Sequence, residues 1–152
     1  MYTRDYIMRL IEQLVQVIAR VLFHKELKEY EKALEEIRAG GTRLTGLDWA
    51  LFVRLNDEAM IEMLRRPAEM DRRMYRVVAD LLNEEADILR LQGKDQDAWL
   101  RRVSAFSLYC ESLAVQESVD VRKKAMEALD AIEEYELPPA VEEKRRRIRG
   151  PL

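Results

Sequence analysis

The chain has 152 residues, 48% apolar and 36% charged, with a formal net charge of -3. That length suits one hydrophobic core, the composition excludes a disordered chain, and 5 Gly with 4 Pro are too few for the turns of an all-β fold. Interspersed charge of both signs argues against nucleic acid and anionic membrane as partners, and a single cysteine, Cys110, makes no internal disulfide, which points to a reducing, cytoplasmic compartment.

The first apolar-periodic stretch predicts a helix from about Asp5 to Phe23, with Thr3 or Asp5 capping its free N–H groups. Arg9, Glu12, Gln13, Gln16 and Arg20 interrupt its apolar residues, so neither a signal segment nor a membrane span is expected. Ile7, Ile11, Leu14, Ile18 and Val21 recur at alternating steps of four and three. With Leu10, Val17 and Leu22 they make a face wider than one neighbouring helix covers. That face either packs on two sides within the chain or forms a homodimer contact.

A second helix is expected to begin near Lys25 and to run on toward Gly46 through Tyr30, Leu34, Ile37, Gly41 and Leu44. Gly40 and Gly41 inside it are either a close-packing notch or a weak point of about 1 kcal/mol each. Asp48 and Asn56 read as N-caps of two short bridging helices within residues 46–70, Trp49–Leu55 and Asp57–Arg66, with Pro67 as the stop. A third long helix is expected from about Ala68 to Gln92, ending at Gly93 as a left-handed cap. The fourth, capped by Asp95, reaches about Gln116; the fifth starts after Ser118 or Asp120 and reaches Tyr135. Beyond Pro138 and Pro139 a short helix over Val141 to Ile148 completes residues 138–152. The expected fold is all-α, five long helices plus short bridging ones paired as antiparallel hairpins within a single helical domain spanning 1–152.

Two stretches resemble the tetratricopeptide helix pair. Ala86, Leu89, Gly93, Ala98 and Ala105 fall at the repeat's offsets in the later one; Val21, Tyr30, Ala33, Leu34 and Ile37 do so in the earlier one. Glu85 stands where the repeat has Leu, Arg102 stands where it has an aromatic, and no Trp begins either unit. The whole chain resembles a family of short bacterial helical proteins known only as a domain of unknown function. The resemblance rests on the opening from Tyr2 to Leu14, on Tyr30-Glu-Lys-Ala-Leu34, on Gly46-Leu-Asp48 and on Tyr135-Glu-Leu-Pro-Pro139. It implies a helical, tetratricopeptide-like fold and supplies no activity.

Few residues invite chemistry. Glu85 falls between Leu81 and Leu82 in the middle of an apolar face, where a lone carboxylate is costly and needs a partner. Arg102 lies opposite it across the Gly93 turn, beside Trp99, Phe106 and Tyr109. A Glu85–Arg102 salt bridge is therefore expected, fixing helix register; the competing reading is a groove at Glu85, Arg102 and Tyr109 that receives an anion. Asp80, Glu84 and Asp87 share a face, but the lone His24 supplies no Glu-x-x-His pair for a di-metal site, and Arg76 and Arg90 fit an intrahelical salt-bridge stripe. His24 suits a helix C-terminus, Cys110 sits in the core stripe Trp99, Val103, Phe106, Leu113, and Lys144, Arg145, Arg146, Arg147 and Arg149 form a basic tail that lacks the aromatic or groove-reading company of a nucleic-acid site. No catalytic residue, metal or cofactor is assigned. The favoured function is a non-catalytic protein-interaction or structural module; a small-anion binder or an enzyme is the alternative.

Overall fold

A computed structural model describes residues 4–65 and 73–150. The expected cap at Thr3, the stop at Pro67 and the helix start near Ala68 lie outside the described residues. Within these, every regular element is α-helical. The order is α1 (Arg4–Glu26), α2 (Tyr30–Thr45), α3 (Trp49–Phe52), α4 (Asp57–Arg65), α5 (Arg73–Leu91), α6 (Asp95–Val115), α7 (Val119–Ile132) and α8 (Pro139–Arg149).

The α1/α2 hairpin lies with both helices against α5; α5 and α6 form the central hairpin, α7 packs on α6, and α8 returns to α6. The bridging helices fill the space between, α3 on α2 and α4 on α6 and α5. One hydrophobic cluster runs from Ile7 to Val141. The α1 stripe is absorbed into it: Ile7, Ile11, Leu14 and Val21 are buried and Ile18 is half-buried. The wide face thus packs on two sides, against α2 and α5.

The two hairpin turns are copies of each other. At Gly93, in the left-handed region with φ +79°, the N–H of Gly93 bonds the Arg90 carbonyl at 2.9 Å and that of Lys94 bonds the Leu89 carbonyl at 2.8 Å. In the earlier turn Lys28 takes φ 60°, its N–H bonds the Lys25 carbonyl at 3.0 Å, and the Glu29 N–H bonds the His24 carbonyl at 2.8 Å. This is the Schellman closure in both places. It corrects the expected start near Lys25: α1 continues through Glu26, and α2 begins at Tyr30, because a lysine occupies the left-handed position and no glycine signals the bend. A second correction concerns Asp95, which is the first helical residue of α6. Lys94 stands at the cap position without a side-chain cap.

Two helices are shorter than expected, the one expected to reach Leu55 ending at Phe52 and the one expected to reach Tyr135 ending at Ile132, while the other expected caps match the structure. Gly46 ends α2 in the left-handed region, Asp48 accepts from the Ala50 N–H, Asn56 from the Ala59 N–H, and Ser118 from the Val121 N–H. Gly40 and Gly41 lie mid-helix and buried, and they form a notch. A Cβ on Gly41 would stand 2.2 Å from Trp49 Cε3, and one on Gly40 3.0 Å from Val17 Cγ1. Their missing side chains let α3 and α1 approach α2.

Candidate functional site

The Gly41 notch places the Trp49 ring over α2, stacked on Phe52 at 5.2 Å. From there its indole Nε1 donates to Glu85 Oε2 at 3.2 Å. Arg101 Nε donates to Glu85 Oε1 at 2.7 Å. Glu85 is 8% exposed, and burial pushes its carboxyl pKa up against the opposing pull of Arg101, Trp49 and Arg38. The inward-facing carboxylate is as expected, but its partner is Arg101. Residues 85 and 101 are equidistant from Gly93, so they face each other across the hairpin. Arg102 is turned one position further around α6 and forks elsewhere, from Nη1 to Asn83 Oδ1 and from Nη2 to Asp87 Oδ1, each at 2.8 Å.

The acidic face of α5 is tied to its neighbours, where pairing along the helix was expected. Lys25 at the end of α1 reaches Glu84 at 2.9 Å and Asp87 at 3.6 Å. Burial would lower its pKa, but the hydrogen bond to Glu84 and the charges of Glu84 and Asp87 prevail and raise it. Asp80 accepts from the Tyr109 hydroxyl and from Lys124 Nζ at 3.1 Å. Arg76 pairs with Asp120 on α7, and the Arg90 side chain has no partner among the described residues. Burial, reinforced by Asp80, keeps the Tyr109 phenol protonated. Glu85, Arg102 and Tyr109 therefore do not form one groove, because their polar ends engage three different sets of partners.

Arg102 alone of the three borders an open groove, about 970 Å³, between the α5–α6 turn and the end of α7. Arg90, Asp95, Ala98, Trp99, Glu134 and Tyr135 line it with Arg102. Trp99 and Tyr135 meet edge to face, centroids 5.9 Å apart at 89°, and the Trp99 indole is fixed by donating to the Ile132 carbonyl at 3.1 Å. Tyr135 is 60% exposed. Sequence reading missed this corner. Its signal was an aromatic just past a helix end and before Pro138-Pro139, too local to reveal Trp99 as a neighbour.

The remaining candidates have plain placements. His24 Nδ1 lies 3.2 Å from Glu29 Oε1 at the α1/α2 turn. Cys110 packs against the core, and burial, partly offset by Lys144, pushes its thiol pKa up to about 12, far above a reactive range. The tail cations meet acids: Lys144 with Glu111, Arg145 and Arg146 with Glu142, Arg147 with Glu143, Arg149 with Asp130 and Glu133. Among the described residues no three His, Cys, Asp or Glu side chains converge on a metal-sized site, and no helix is long and apolar enough to cross a membrane.

Fold and site together define, among the described residues, an all-helical protein of packed hairpins, with Glu85 and Tyr109 bonded internally and an open groove at Trp99 and Tyr135. A family model described as "Family of unknown function (DUF6483)" matches residues 1–136, and the chain belongs to that family. No curated protein and no solved structure matches it.

Proposed function

We propose that the chain is a non-catalytic protein-interaction or structural module of tetratricopeptide-like helix pairs, working in the cytoplasm, with the Trp99–Tyr135 groove as its contact surface. The observation that carries this reading is a contrast. Side chains suited to chemistry are engaged internally: Glu85 by Trp49 and Arg101, Tyr109 by Asp80, Cys110 by the core. The groove instead presents an aromatic corner beside Arg90, which has no partner among the described residues. Exposed aromatics and arginine are the residue types that anchor protein contacts. The matching turns at Lys28 and Gly93 support a repeated hairpin unit, and the lone thiol of Cys110 supports a reducing compartment.

The test is affinity capture from the native host, comparing the unchanged chain with a variant carrying Arg90→Glu and Tyr135→Ala. Both positions are exposed, so the fold is retained. A partner held by the unchanged chain should be depleted at least about tenfold, since anchor residues each contribute roughly 1–2 kcal/mol or more. Equal retention would remove the groove from the reading. The alternative, a small-anion binder or enzyme, draws on Arg90 and Arg102 lining the same groove. It requires a melting shift with small anions that Arg102→Ala abolishes.

A further inference from the structure

The Trp99–Tyr135 groove has charge left over, and its sign follows from what each lining side chain already holds. The wall at the α5–α6 turn carries Arg90 and Asp95, the wall at the end of α7 carries Glu134 and Tyr135, and α6 adds Trp99 and Arg102. Ala98 and Ala131 contribute only methyl groups to the lining, which leaves room for an incoming side chain. Arg102 is neutralised, since its terminal nitrogens donate to Asn83 and Asp87. Arg90, Asp95 and Glu134 have no hydrogen-bond or ion-pair partner among the described residues. On the turn side Arg90 and Asp95 offset each other. The uncompensated charge is therefore the carboxylate of Glu134, which is exposed and next in sequence to Tyr135.

The rings beside that carboxylate suit the opposite charge. Trp99 and Tyr135 stand at 89° with their centroids 5.9 Å apart, so two ring faces meet as a corner. The face of an aromatic ring is its negative side. The Trp99 N–H, the edge that would attract an anion, is turned away onto the Ile132 carbonyl at 3.1 Å. A guanidinium or ammonium over such faces is attracted to them, and Glu134 adds an acceptor at the rim. An anion in the same corner would meet only ring faces and a like charge.

We propose that the aromatic corner receives an arginine or lysine side chain of a partner protein, held by Trp99, Tyr135 and Glu134, while Arg90 takes a carboxylate of the same partner segment; this rests on the groove being the contact surface proposed above and adds the charge its partner must bring. Arginine suits the corner better, because its planar guanidinium stacks on a ring and still forks onto a carboxylate.

Two fluorescein-tagged peptides test it by anisotropy. One carries a single arginine and a single glutamate among glycines and serines; the other has citrulline, the neutral isostere, in place of the arginine. The unchanged chain should bind the arginine peptide at least about fivefold more tightly. Glu134→Gln, an isosteric change at an exposed position, and Tyr135→Ala should each remove most of that preference. Equal affinity for both peptides, no binding of either at millimolar concentration, or a preference that survives Glu134→Gln overturns the proposal. Spermidine separates a partner side chain from a free cation. If it displaces the peptide at concentrations below the peptide's own dissociation constant, the occupant is a small cation and the proposal is again overturned. Failure here is distinct from failure of the contact surface: a partner lost from the Arg90→Glu, Tyr135→Ala chain while both peptides bind equally removes the cation and keeps the groove.

Discussion

A carboxylate set among Leu81, Leu82 and the Trp49 ring keeps its place because two donors converge on it. Glu85→Ala leaves the Arg101 guanidinium and the Trp49 indole N–H without their acceptor. The expected cost is about 3 kcal/mol in urea unfolding, at the low end for a buried pair because Arg101 retains some contact with water. A double-mutant cycle between Glu85→Ala and Arg101→Ala should give a coupling of about 1–3 kcal/mol, and one between Glu85→Ala and Arg102→Ala close to zero. The reverse ranking would restore the pair first expected from the sequence. The pH dependence has a defined sign. Burial raises the pKa of Glu85 above the ordinary 4.5 and that of Asp57 above 3.8, so the folded chain retains protons that the unfolded chain releases. Their contribution is full below the ordinary values and is lost as pH climbs through the raised ones. Half-buried Glu29 and Glu142 and exposed Glu117 have values lowered by their cationic partners, so their contribution is lost only as pH falls below the ordinary 4.5. As pH rises above the ordinary carboxylate value of 4.5, the urea midpoint of the unchanged chain should therefore fall more than that of Glu85→Gln. The inward aim of Glu85 was legible because it follows from a 3.6-residue period. Its partner was not, because choosing between neighbours on the facing helix requires the exact turn centre.

Helix ends show the same division between what a pattern carries and what it cannot. Asp48, Asn56, Ser118, Gly46 and Gly93 were readable because each residue type has a direct capping chemistry. The turn at Lys28 was silent because an L-residue occupies a left-handed position there. Lys28→Gly should therefore stabilise the chain by about 1 kcal/mol, read as a higher urea midpoint; no gain would mean that Lys28 contributes a contact offsetting its backbone cost. Gly41→Ala should act in the opposite direction. Displacing Trp49 costs about 1–3 kcal/mol, against roughly 1 kcal/mol that alanine gains as a helix former, and quenching or shift of tryptophan emission should accompany the loss. The sequence could mark Gly40 and Gly41 as a notch or a weak point, but only the position of Trp49, eight residues on and past a turn, decides for the notch.

Across the whole molecule, charge organises what burial alone leaves open. Lys25, Lys124 and Arg102 tie the acidic face of α5 to α1, α7 and α6, and the basic tail is matched by acids along α6, α7 and α8. These pairs join residues up to 62 positions apart, beyond the reach of any local pattern, which is why an intrahelical stripe was expected in their place. The all-helical class and most helix bounds were legible from apolar spacing. The Trp99–Tyr135 groove was not, because it forms only when the end of α7 meets the start of α6. The central claim is that these internal pairs are structural and that the groove meets a protein surface and not a small charged ligand. It is tested most directly by melting the chain against phosphate, sulfate, nucleotides and dicarboxylates. A midpoint unchanged within about 1 °C is expected for each, whereas a rise of about 4 °C or more, the effect of a ligand well above its dissociation constant, that disappears in Arg102→Ala would contradict the claim.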